Sequence, residues 1–240
     1  PTDSAGKQVN YEHSPNFQRN LTSDHESLCY TGNATQQWRR KSKLKRQIHQ
    51  SWARLISNIL SPPVVWGFLA FPIAFRAAET TQQAILWAVT YGVFVCLLPA
   101  VYIAWMVWRG KITDVHMQVR EQRIRPFIVS IVGTALAWQA LQLLGAPSLL
   151  PLFALFSLIQ IAVMLAVTLK WQISMHSITI TGAVITTGAL YGVVPALVLS
   201  PLIPVVGAAR IKLQRHTLSQ VIAGGLVGGV LTCVMFLTLK

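Results

Sequence analysis

Long apolar runs without a single charged residue alternate along this chain with short basic islands. The charge-free stretches run from Thr80 to Trp108, Pro126 to Leu169, Trp171 to Ala209 and Thr217 to Leu239. Each is long enough to cross a hydrocarbon layer of about 30 Å at least once. The period-2 alternation of a membrane barrel is absent, so backbone groups in lipid must be satisfied inside helices. The pattern predicts an all-α, polytopic transmembrane helix bundle.

Pro62 to Phe75 reads as a short first helix and Gln83 to Trp108 as a second, ending in a belt at Trp105 and Trp108. Phe127 to Leu144 and Leu149 to Leu169 form a hairpin that turns at Gly145-Ala-Pro147. The 33 residues from Ser177 to Ala209 exceed one ordinary crossing, and Gly188, Gly192 and Pro195 offer places to break them. The last span is Val221 to Leu239, where Gly224, Gly225, Gly228 and Gly229 make two small-xxx-small pairs suited to close helix contact. The bundle has seven helices if the long run is a hairpin and six if it is one tilted helix.

Ahead of this bundle, residues 60–240, two segments stand apart. Residues 1–37 are polar and lack hydrophobic periodicity, which predicts a weakly ordered extension. Residues 38–59 mix Arg39, Arg40, Lys41, Lys43, Lys45, Arg46 and Arg54 with Trp38, Leu44, Ile48, Trp52, Leu55, Ile56 and Ile59 at helical spacings. That mixture predicts a basic amphipathic helix lying in the membrane interface.

Composition agrees: 53% of residues are hydrophobic and 11% charged, too apolar for an ordinary soluble domain. The net charge of +13 raises the question of nucleic acid. Most of the Lys and Arg lie in the leading segment and in short loops beside apolar spans, so the charge belongs to the bilayer surface and no nucleic-acid partner is expected. With seven helices, the islands Arg109–Arg125, Lys170–His176 and Arg210–Gln220 all fall on one side, and only Arg76 and Lys240 lie opposite. Positive-inside bias then puts the N-terminus and the islands in the cytoplasm. Cys29, Cys96 and Cys233 have neither metal-site nor disulfide spacing.

The islands carry the candidate chemistry. They supply Arg120, Arg123 and Arg125, then Ser174 and His176, then Arg210 and His216. Handling a phosphate ester takes such a set: guanidinium groups for the nonbridging oxygens, one imidazole to attack phosphorus and another to protonate the departing oxygen. Thr217 to Gln220 opens the last helix, whose N-terminal amides add positive potential at the same point.

Arg125-Pro126, Ser174-Met-His176 and Arg210-x5-His216, in that order, resemble the three motifs of the type 2 phosphatidic acid phosphatase superfamily of integral-membrane lipid phosphatases, over roughly Gly110 to Gly229. The resemblance implies a phosphohistidine on His216, His176 as general acid, and a phosphoryl group held by Arg210, Arg125, Ser174 and Arg123 or Arg120. No metal or other cofactor is implied, and no carboxylate cluster for magnesium is present. The chain departs from the pattern at Gln220, where the family has the Asp that orients the nucleophile, and at Gln118, Ile173, Met175 and Ala209. Gln220, four residues after His216 on a helix, still reaches the imidazole but brings no charge.

Two readings follow. One is a membrane lipid phosphatase or prenyl diphosphatase whose amphiphilic substrate enters from the bilayer. The other is a catalytically inactive, phosphatase-like subunit of a larger membrane complex, with a structural or lipid-binding role, suggested by Gln220, the glycine-rich last helix and the long polar extension.

Overall fold

The computed structural model describes residues 50–112 and 119–238. The extension 1–37, the first part of the basic amphipathic segment, Cys29 and Gln118 lie outside the described residues. All regular structure among the described residues is helical.

The first helix, α1 (Ser51–Ile59), has two faces. Ala53 and Ser57 are buried, while Trp52, Leu55 and Ile59 form an exposed apolar stripe. Ser61 precedes Pro62 and takes an extended conformation, as a residue before proline prefers. Pro62 and Pro63 then open α2 (Pro62–Ala77) in the positions where a missing N–H costs nothing. The outcome is a bend of 44° between α1 and α2.

A reciprocal cap between Thr80 and Gln83 starts α3 (Thr81–Tyr91). The rod continues through one π-helical stretch, Gly92–Leu97, into α4 (Leu98–Trp108). The wide stretch lies just ahead of Pro99, which has no N–H to give back to the preceding turn. At the rod's end Arg109 lies over Trp105 and Trp108, 5.3 and 5.8 Å from the ring centres.

A 3₁₀ turn at Arg120–Arg123 leads into α5 (Ile124–Leu143), which turns back into α6 (Leu149–Thr168). The turn is a Schellman cap: Gly145, at φ 68°, donates to Gln142, and Ala146 donates to Leu141. It falls where Gly145-Ala-Pro147 predicted it.

After α7 (Met175–Tyr191) the chain breaks at Gly192, whose φ of 95° and ψ of 174° are open to glycine and little else. Two short helices follow, α8 (Val193–Leu199) and α9 (Leu202–Lys212), forming one apolar rod of 20 residues. His176 near the start of this stretch and Arg210 near its end both bond Ser57, so the 33-residue run is a hairpin. The last helix, α10 (Leu218–Thr238), packs more extensively against α7 than any other two helices do against each other. Gly224 and Gly228 make this approach, since a Cβ there would lie 2.6 Å from the Ser174 oxygen and 2.4 Å from that of Ile178.

Among the described residues five helices are long and apolar enough to cross a membrane, and six if α1 and α2 count as one bent span. Polarity runs opposite to that of a soluble protein. Phe68, Leu97, Val101, Val194, Leu226 and Val230 face outward, whereas Arg123, His176, Arg210 and His216 are buried. The chain is an all-α integral membrane protein. An apolar core gathers around Phe153, whose ring centre lies 5.4 Å from that of Trp66 and 5.1 Å from that of Tyr91.

Candidate functional site

Arg210 and His216 come together through the end of α9. The last turn closes in a second Schellman pattern, with Gln214 donating to Ile211 and Arg215 to Arg210. Here the left-handed residue is Gln214, at φ 55°, an uncommon conformation for a side chain of this kind. The turn reverses the chain within the five residues separating Arg210 from His216. Both side chains are buried, at 3% and 7% exposure.

His216 stands just ahead of α10, whose start is fixed by Thr217 and Gln220. The Gln220 backbone N–H donates to Thr217 Oγ1 (3.4 Å), and the Thr217 N–H donates to Gln220 Oε1 (3.0 Å). The same amide oxygen lies 3.2 Å from Nδ1 of His216. A carbonyl oxygen only accepts, so Nδ1 carries the proton and the Nε2 lone pair is left for chemistry. Burial, with Arg210 and Arg123 adding positive charge nearby, pushes the His216 pKa down to about 4. At neutral pH the ring is therefore uncharged.

His176 lies in the first turn of α7, with Ser174 as N-cap. The Ser174 hydroxyl accepts from the Ser177 N–H (3.3 Å) and its backbone N–H donates to the Gln220 carbonyl (3.1 Å). These bonds tie the His176 turn to the His216 turn. His176 Nε2 donates to the Ser57 carbonyl at 3.0 Å and lies 3.3 Å from its hydroxyl. Arg210 donates to that hydroxyl at 2.6 Å. Ser57 on α1 is thus the meeting point of two predicted site residues. Its signal in the sequence was faint: small residues at Ala53 and Ser57, on a face of α1 away from the apolar stripe.

The three arginines of the first island separate. Arg123 is buried at 5% exposure, while Arg125 is exposed. Arg120 pairs with Glu121 at 3.3 Å and donates to the Lys170 carbonyl at 3.2 Å, joining the first island to the second.

Arg123, His176, Arg210 and His216 line one cavity of about 410 Å³, while Arg120, Arg125, Ser174 and Gln220 stand outside its lining. From this cationic end the cavity runs inward between Pro63, Val95, Ile103, Phe127, Ile161 and Met164. Gln160, a buried amide of α6 that belongs to none of the sequence motifs, lies along the same wall. A polar residue inside an otherwise apolar span was the cue. Among the described residues no cluster of His, Cys, Asp or Glu suits a metal ion. A cavity with guanidinium groups and imidazoles at one end and hydrocarbon walls beyond has the chemistry of an amphiphile's site, with an anionic head and an apolar tail. No protein-family model, curated protein or solved structure matches the chain.

Proposed function

We propose that the protein is a membrane phosphohydrolase for an amphiphilic phosphate ester or diphosphate, acting through a phosphohistidine. The supporting observation is that Arg123, His176, Arg210 and His216, from three distant stretches of chain, line the head of one cavity whose remaining walls are mostly apolar. The two arginines would hold the nonbridging oxygens. The neutral His216 would use its Nε2 lone pair to form a bond to phosphorus as the ester P–O bond breaks, with His176 giving a proton to the departing oxygen. Water would then attack the phosphorus, losing a proton to His176, and the phosphorus–nitrogen bond would return its electrons to His216. The lipid tail would remain in the apolar part, each buried methylene contributing about 0.8 kcal/mol. Positive-inside bias supports a cytoplasmic position for the N-terminus and for the cationic end.

Phosphate release from phosphatidate and from a prenyl diphosphate, measured on the detergent-purified full chain, tests this reading. Release by the wild type that is abolished in His216→Ala is the expected result. Release that persists unchanged in the variant would exclude the histidine mechanism.

A second reading is a noncatalytic subunit that keeps the site for lipid binding. It is supported by Ser57, whose hydroxyl and carbonyl engage Arg210 and His176, and by the neutral Gln220 on His216. No release from any substrate, together with retained binding, would favour it.

A further inference from the structure

Within these helices a serine or threonine hydroxyl commonly bonds back to the carbonyl one turn earlier. Ser130 does so to Pro126, Thr134 to Ser130, Ser157 to Phe153 and Thr187 to Ala183, all at 2.7–2.9 Å. Ser57 of α1 turns its hydroxyl away from its own helix instead. The oxygen accepts from Arg210 at 2.6 Å and lies 3.3 Å from Nε2 of His176. Ser57, Arg210 and His176 are all buried, so water competes little for these bonds.

The Ser57 carbonyl is open to His176 because of how α1 ends. The last four carbonyls of a helix have no partner along their own helix. Here Pro62 and Pro63 have no N–H, and Ser61, the residue that would bond Ser57, donates to Asn58 at 3.3 Å. The Ser57 carbonyl takes the Nε2 proton of His176 at 3.0 Å. A carbonyl only accepts, so the contact fixes the tautomer and the rotation of the ring, as an acceptor on one nitrogen does for a histidine that trades protons at the other. Ser57 itself stays out of the cavity lining to which Arg210 and His176 belong. It grips both side chains from behind and leaves the head of the cavity to a substrate.

We propose that Ser57 is a positioning residue for phosphoryl transfer, its hydroxyl setting the Arg210 guanidinium and its carbonyl setting the His176 ring. This role rests on the phosphohydrolase reading above and adds α1 to the machinery of that site. Arg210 has a long side chain with many rotamers. Holding it in place beforehand removes the reorganisation that charge build-up on the phosphoryl oxygens would otherwise demand. The gain falls in the transition state, so it belongs to kcat rather than to KM.

Two measurements on the full chain in detergent test the role: phosphate release from phosphatidate and from a prenyl diphosphate, and the affinity for orthovanadate, which imitates the pentacoordinate phosphorus. Ser57→Ala keeps the carbonyl and removes the hydroxyl. It should lower kcat about tenfold, leave KM within about twofold and weaken vanadate binding about tenfold. Ser57→Thr, which keeps the hydroxyl, should restore most of both. Where the alanine variant does not fold, Ser57→Cys, closer to serine in volume, should show the same losses. An unchanged kcat in the folded variant overturns the assignment, as does a loss confined to KM. Faster release overturns it as well and makes Ser57 a brake on the site. A wild type that binds vanadate but releases no phosphate removes the phosphohydrolase reading alone, and vanadate then decides Ser57: weaker binding in Ser57→Ala upholds its hold on Arg210, and equal binding overturns it. Failure of the wild type to bind vanadate overturns both.

Discussion

Nδ1 of His216 lies 3.2 Å from the amide oxygen of Gln220, which also caps the first turn of α10 through the Thr217 N–H. Gln220 therefore fixes the ring's tautomer, as an aspartate would, without supplying a charge to steady the imidazolium. Gln220→Glu keeps the reach and adds the charge. We expect it to raise the His216 pKa from about 4 and to speed phosphate release at pH 7 by about tenfold or more. Gln220→Leu should slow release by at least as much. Rates measured from pH 4 to 8 check both.

Protonation of His216 also links folding to pH. Its pKa in the folded chain, about 4, is below the ordinary 6.5, so on acidification the unfolded chain takes up the proton first. Stability should be full above pH 6.5 and fall as pH drops toward 4, by about 3 kcal/mol in all. Thermal unfolding in detergent across that window should show the loss, and His216→Gln should flatten it.

The arginines of the first island should divide by burial. Orthovanadate, a phosphate mimic, should raise the melting temperature of the wild type. The rise should vanish in Arg123→Gln and Arg210→Gln, whose side chains line the cavity, and persist in Arg125→Gln, whose side chain is exposed. Equal loss in all three would mean that general positive charge attracts the anion.

Adjacent glycines on α10 should respond differently to a methyl group. At Gly228 a Cβ would lie 2.4 Å from the Ile178 carbonyl oxygen, whereas at Gly229 the nearest atom is 3.7 Å away. Gly228→Ala should cost about 1–3 kcal/mol and spread α7 from α10, straining the Ser174–Gln220 bond. Gly229→Ala should be close to neutral. Melting temperatures of the two variants decide it.

Much of the bundle was legible in the chain because lipid leaves the backbone few choices. Charge-free runs had to be helices and Gly145 had to turn, whereas the 33-residue run could be one tilted helix or a hairpin, and only the structure shows it broken at Gly192. Gln220 does reach His216, but through the cap at Thr217 and not along one helix as the spacing suggested, since His216 stands ahead of α10. Contacts set by three-dimensional register were not legible. Arg123 and Arg125 differ by two positions, enough on a helix to send one inward and the other out. The motif resemblance pointed to Arg125, next to Pro126, but Arg123 is the one that lines the cavity. Ser57 was missed because a serine on a surface helix carries no mark of a partner 119 positions away.

The bend between α1 and α2 gives that serine a particular mechanical position. Trp52, Leu55 and Ile59 lie on the outer side of α1, and Lys212 of α9 rests 5.6 Å from the centre of the Trp52 ring. Lifting this one short helix would detach Ser57 from an imidazole and a guanidinium in a single movement.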